Sequence, residues 1–221
     1  MKTTKPGSWQ EAIPVRFGHL PMWWTTSAWR FIPDSMQEMR FNPFEQKALL
    51  DLAQTSIRES VRGRRMRLPS VSGLPAGLTQ PLGAFVSVYV LGKLRGCIGT
   101  FDSDRALYRN VAEMAGKAAI GDPRFEAVRS EELPTLQVEI SVIGPRIAVK
   151  GPADLVIGRD GIFMELGNRR GTLLPQVAQK ERWTAEQFLR YCAQHKMGCA
   201  PEDWEQAALY RYEAFVVSDK G

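Results

Sequence analysis

Between Gly83 and Phe101 the chain reads GAFVSVYVLGKLRGCIGTF, two alternating runs rich in Val, Tyr and Ile with LGK as the only turn signal between them. Alternation sends successive side chains to opposite faces, so the stretch reads as a β-hairpin. No other feature constrains the fold as strongly. The second run carries Cys97, flanked by Gly96 and Gly99 and two residues past Arg95.

The segments around the hairpin have a different period. NPFE sets Asn42 before Pro43 and places Glu45 at the third helical position, which predicts a capped helix from Asn42 to about Val61. Its apolar face gathers Phe44, Ala48, Leu49, Leu50, Leu52, Ala53 and Ile57. After the hairpin, Leu107, Val111, Met114 and Ala118 recur at helical spacing, with Asp102, Ser103 or Asp104 as caps, until GDPRF breaks the pattern. LQVEISVI then alternates Val138, Ile140 and Val142 against Gln137, Glu139 and Ser141. In DLVIGRDGIFMELGNRRGTLL, the turns GRDG and GNRR predict short antiparallel strands. Thr184 and Gln187 form a second capping box for a helix that stops at Gly198, and ALYRYEAFVV reads as a closing strand.

Hairpins thus alternate irregularly with helices. That order predicts an α+β fold with a mostly antiparallel sheet. Residues 1–40 stand apart, with four of the six tryptophans and no period of 3.6 or 2, and read as an appendage to a domain over 41–221. Met36 and Met39 inside it are alternative starts, and Trp23, Trp24 and Trp29 are alternative docking groups.

With 221 residues and a net charge of +5, the chain has core enough for one large domain or two small ones. No apolar run reaches the roughly 18 residues of a membrane span, and MKTTKPGSWQEAIP lacks the apolar stretch of a secretory signal, so the expected compartment is the cytoplasm, without membrane association. Three cysteines, Cys97, Cys192 and Cys199, form no CxxC pair and fit a reducing setting. The basic run Arg58, Arg62, Arg64, Arg65 and Arg67 lies beside Gly and Pro without interleaved aromatics, which reads as a solvated loop rather than a nucleic-acid surface.

Cys97 is the candidate reactive group. On a regular strand Arg95 and Cys97 face the same way, which would put a guanidinium beside the thiol, depress its pKa and make it the fastest of the three thiols to be alkylated. The alternative is a small buried hydrophobe, with the glycines serving a bulge. Glu139 or Asp122 would serve as proton carrier for a thiol nucleophile, because only His19 and His195 are present and neither is near Cys97 in sequence. CAQHKMGC places Cys192, His195 and Cys199 at offsets of three and seven, yet Gly198 ends the helix and a fourth ligand is missing, so no metal is expected there. Without a phosphate loop or dinucleotide fingerprint, no cofactor is expected either.

Taken in order, LRGCIGTF, DPRF, EELPTLQVEISV, DLVIGRDGI and RRGTLLPQVA resemble the AMMECR domain family, known in prokaryotes as AmmeMemoRadiSam system protein A, over about Asn42 to Val217. The resemblance implies an antiparallel sheet flanked by helices, with a smaller β-containing lobe. It also implies a shared pathway with Memo-like and radical-SAM proteins, acting on a small molecule or a partner protein. The family pattern maps onto Leu94, Arg95, Gly96, Cys97, Ile98 and Gly99, then Asp122, Pro123, Arg124 and Phe125, then Glu139, then Arg170, Leu174, Pro175 and Gln176. In an enzyme reading Cys97, Glu139 and Asp122 are catalytic, while Arg95, Gly96, Gly99, Arg124, Arg170 and Gln176 hold an anionic substrate. In a binding-module reading the same residues form a structural cluster or a docking face. Gly121 replaces the family's usual acidic residue before DPRF, and CAQHKMG replaces its CxKAG.

Overall fold

Asn42 opens the first element as its sequence requires. Its side chain accepts from the Glu45 N–H at 3.0 Å while Glu45 accepts from the Asn42 N–H at 3.0 Å, and helix α1 runs Pro43–Val61. The second Glu45 oxygen accepts from the Gly77 N–H, tying α1 to the short helix α2, Ala76–Thr79. The computed structural model describes residues 41–64, 66–101 and 104–219, so the expectations for residues 1–40 lie outside the described residues.

The hairpin forms as β1, Gly83–Val90, and β2, Lys93–Thr100. Leu91 and Gly92 make its turn with φ of 49° and 74°, the left-handed pair a two-residue hairpin turn requires. Helix α3, Leu107–Ile120, follows. Asp104 does not cap it. The N-cap position is Ala106, and the Leu107 N–H goes to the Gln80 carbonyl, so tertiary contact replaces a local cap; Asp102 and Ser103 lie outside the described residues.

Strand β3, Leu136–Ile143, is followed by β4, Ile147–Val149, then the hairpin β5, Asp160–Leu166, and β6, Arg169–Leu173. The expected strand DLVI does not form. The Val156 N–H is taken by the Asp160 carboxylate and the Val156 carbonyl by the Arg159 and Asp160 N–H groups, so the segment closes on itself as a turn instead of joining a ladder. Helices α4, Pro175–Glu181, and α5, Ala185–Lys196, precede the last strand β7, Ala208–Ser218.

The strands form one antiparallel sheet in the order β2-β1-β3-β7-β5-β6, with β4 also on β7. The fold is α+β. Helices α1 and α3 cover one face of β1–β3, burying Leu49, Ile57, Val111, Ala115, Val86 and Ile140 in the larger core. Helix α5 covers β5 and β6, burying Ile162, Met164, Leu173, Phe188 and Leu189 in the second. A third cluster, Phe85, Ile143, Phe163, Leu174 and Tyr212, joins residues of both parts because the sheet curls on itself. The smaller lobe is therefore continuous with the main sheet through β7.

Candidate functional site

Register brings the first three polar side chains together. Ser87 on β1 pairs with Cys97 on β2 and with Glu139 on β3, so the three stand side by side in one row across adjacent strands. Their neighbours Val86, Val88, Ile98, Val138 and Ile140 belong to the core under α1 and α3, which leaves the row on the opposite face. The Ser87 hydroxyl donates to the Cys97 sulfur at 3.2 Å.

Asp122 and Arg124 arrive from the loop after α3 and meet the edge of β2. The Cys97 N–H donates to Asp122 Oδ2 at 2.8 Å, and Arg124 Nη2 donates to the Cys97 carbonyl at 3.0 Å. Within the pair, Arg124 Nη2 and Nε donate to the two carboxylate oxygens at 2.6 and 2.9 Å. The DPRF motif thus satisfies the outward backbone groups of an edge strand and closes that edge to further pairing. Burial pulls the Asp122 carboxyl upward, but the Arg124 hydrogen bond and the N–H groups of Cys97 and Arg124 outweigh it and hold its pKa below the ordinary aspartate range. An ion so engaged acts as a clamp on the β2 edge.

Several other expectations change as well. Val88 pairs with Gly96 and Tyr89 with Leu94, so Arg95 is the extra residue of a β-bulge and loses its shared orientation with Cys97. Its guanidinium binds both oxygens of Glu132 at 3.1 Å instead. Arg124, not Arg95, is a cation that acts on the thiol. Gly96 and Gly99 make room for protein rather than ligand: a Cβ at Gly96 would stand 1.8 Å from the Ala118 carbonyl oxygen, and one at Gly99 2.0 Å from the Phe85 ring. Arg170 pairs with Glu165 across the β5–β6 hairpin at 2.8 Å. Gln176 does join the Cys97 face, donating to Ser141 Oγ at 3.4 Å.

Cys97 is only 5% exposed. Burial pushes its thiol pKa up, against the lowering effects of the Ser87 hydrogen bond and Arg124, while Asp122 and Glu139 add to the rise. The expected depressed thiol is therefore corrected: the resting form is the neutral thiol. Cys192 is shielded more completely inside the second core, and Cys199, half-buried past Gly198, receives an Arg169 hydrogen bond at 3.4 Å. His195 stacks on Tyr191 at 4.3 Å between ring centroids.

Two members of the face were missed in the sequence. Ser87 had a signal, a lone hydroxyl among the apolar residues of β1, but only register could show its partner. Burial lowers the pKa of Lys196, in the last turn of α5, and Cys192, Arg124 and Cys97 all lie within electrostatic range of its ammonium. Val216, paired with Ser141, is 44% exposed although it sits within a central strand, whereas Ser141 itself is buried.

The family profile described as AMMECR1 matches residues 50–217. A protein of Methanothermobacter thermautotrophicus is 37% identical over 195 residues, covering 83% of this chain and all of the relative. One from Pyrococcus furiosus is 34% identical over 185 residues, covering 78% of this chain and 87% of the relative. Among solved structures, an uncharacterized protein from Pyrococcus horikoshii matches with a TM-score of 0.76 at 30% identity, covering 81% of this chain and 94% of that one.

Proposed function

The chain belongs to the AMMECR1 family, and on that premise we propose that its Cys97 face holds a small anionic molecule, with Cys97 presented as a neutral thiol between Ser87 and the cations Arg124 and Lys196. The observation that carries this reading is convergence. Ser87, Cys97 and Glu139 stand in one row across three strands, Arg124 clamps the β2 edge beside Cys97, and Lys196 is within electrostatic range of both Arg124 and Cys97. Glu139 is the proton carrier best placed to serve the thiol, since it adjoins Ser87, whose hydroxyl already reaches the sulfur. Memo-like and radical-SAM proteins are the partners proposed with it, on the strength of the family resemblance; co-purification from a cell that encodes all three tests that part.

Two alkylating probes of similar size test the site itself. Iodoacetate carries the charge the face would attract and iodoacetamide does not. The ratio of their rates at Cys97, referenced to Cys199, is expected to favour iodoacetate, and Lys196→Met is expected to remove the preference. Inertness of Cys97 to both reagents in the folded protein would sink the ligand site. The second reading then takes its place: a non-catalytic interaction module, favoured by the buried neutral thiol and by the structural duty of Asp122.

A further inference from the structure

Arg146 follows β3 and precedes β4, and its guanidinium lies over three aromatic rings. The guanidinium carbon stands 4.5 Å from the ring centre of Phe163, 5.8 Å from Phe101 and 5.9 Å from Tyr210. The residue is half-buried. The other half-buried arginines in comparable settings have carboxylate partners: Arg95 has Glu132, Arg124 has Asp122, Arg170 has Glu165 and Arg211 has Asp160. Arg146 makes no hydrogen bond or ion pair among the described residues, and its guanidinium lies against the three rings. Rings attract a cation but accept no strong hydrogen bond, so the guanidinium keeps its donors for something else.

The carboxylate that acts on Arg146 electrostatically is already engaged by another arginine. Glu165 is close enough to act on Arg146 electrostatically, but it is engaged by Arg170, whose own charge opposes that of Arg146. The result is a partly desolvated, permanently cationic fork held on a rigid aromatic floor. Phe163 is fully buried, and Phe101 packs edge-on against Phe85, Phe163 and Tyr212 at 5.1–5.3 Å between centroids, so the floor belongs to the third core cluster and cannot move independently of the fold.

We propose that Arg146 on its floor of Phe101, Phe163 and Tyr210 is a second ligand site, taking the carboxylate or phosphate group of a small molecule. A two-oxygen acceptor matches the guanidinium fork, and partial exclusion of water strengthens the pairing relative to a solvent-exposed arginine. The site stands apart from Cys97. Phe101 lies four residues further along the chain, about 13 Å at strand spacing, so the proposal does not depend on the reading of the Cys97 face.

Nitrogen-15 spectra of the arginine side chains in the full chain test it, with inorganic phosphate and acetate titrated separately. The Arg146 Nε–H signal, assigned by its absence from Arg146→Gln, is expected to shift saturably with at least one anion, and the more effective anion identifies the group recognised. Arg146→Lys keeps the charge but loses the fork, and is expected to weaken the binding about tenfold as judged by chemical-shift changes at the Phe101 and Tyr210 amides. Cys97→Ser is expected to leave the titration unchanged, which separates this site from the first. No saturable shift with either anion overturns the proposal, as does binding of equal strength in Arg146→Lys. Should Arg146→Gln fail to fold, the lysine variant carries the same test.

Discussion

Cys97 is gripped at three points: its sulfur by Ser87, its N–H by Asp122 and its carbonyl by Arg124. Asp122 is the residue on which this arrangement depends most, since removing its charge leaves Arg124 buried without its counter-ion. Asp122→Asn is expected to cost about 3 kcal/mol near neutral pH, measured by urea unfolding. The sign of its pH dependence follows from the depressed folded-state pKa. The stabilisation is fully present above the unfolded value near 3.8 and is lost as pH falls toward the depressed one. The asparagine variant should therefore lose less stability than the wild type on acidification through that range, and equal losses would show that Asp122 does not titrate as described. Arg95, two residues before Cys97 in the motif, contributes to none of this because the bulge redirects it to Glu132.

At the scale of the element, the β1–β2 hairpin carries both its weakest and its tightest position. Leu91 holds a left-handed φ of 49° with its side chain exposed, a conformation that asparagine tolerates better than leucine. Leu91→Asn is expected to raise stability by about 1 kcal/mol, visible as a higher thermal midpoint. Gly96 is the opposite case. Its backbone packs against the Ala118 carbonyl so closely that an added Cβ would stand 1.8 Å from the oxygen, and neither atom sits on a flexible side chain. Gly96→Ala is expected to separate β2 from α3, costing more than about 4 kcal/mol, and a variant with near wild-type solubility and midpoint would contradict that packing. Helix α4 escaped the sequence reading because its seven residues, PQVAQKE, complete no recognisable apolar face; Pro175 at its start was the only local signal.

The molecule as a whole is bound together by β7. Residues Ala214–Ser218 pair with β3, while Ala208–Glu213 pair with β5, so the backbone that finishes the larger part also centres the smaller one. The third cluster adds side-chain contact between them, with Phe85 from β1 against Phe163 and Tyr212 from β5 and β7. Two lobes sharing a strand and a core should not unfold separately. Calorimetry is expected to give one transition with a van't Hoff to calorimetric enthalpy ratio near about 1, and two resolved transitions would show that the aromatic joint does not couple them.

The sequence alone determined the elements whose signals are local. The capping boxes at Asn42 and Thr184, the period-2 runs of β1, β2 and β3, and the stop at Gly198 all depend on neighbours within a few residues, and each formed where the pattern placed it. The ordered motifs also marked the family. What tertiary structure decided is which of those motif residues face one another. A single bulge removed Arg95 from the thiol, edge satisfaction turned Asp122 and Arg124 into a backbone clamp, and register chose Ser87 as the sulfur's partner. Lys196 comes within electrostatic range of Arg124 and Cys97 only through the packing of α5 against β6. The physical reason is range: a cap or a turn is won by interactions along a few residues of chain, whereas burial, register and the electrostatic surroundings of a thiol come from segments that only the folded sheet brings into contact.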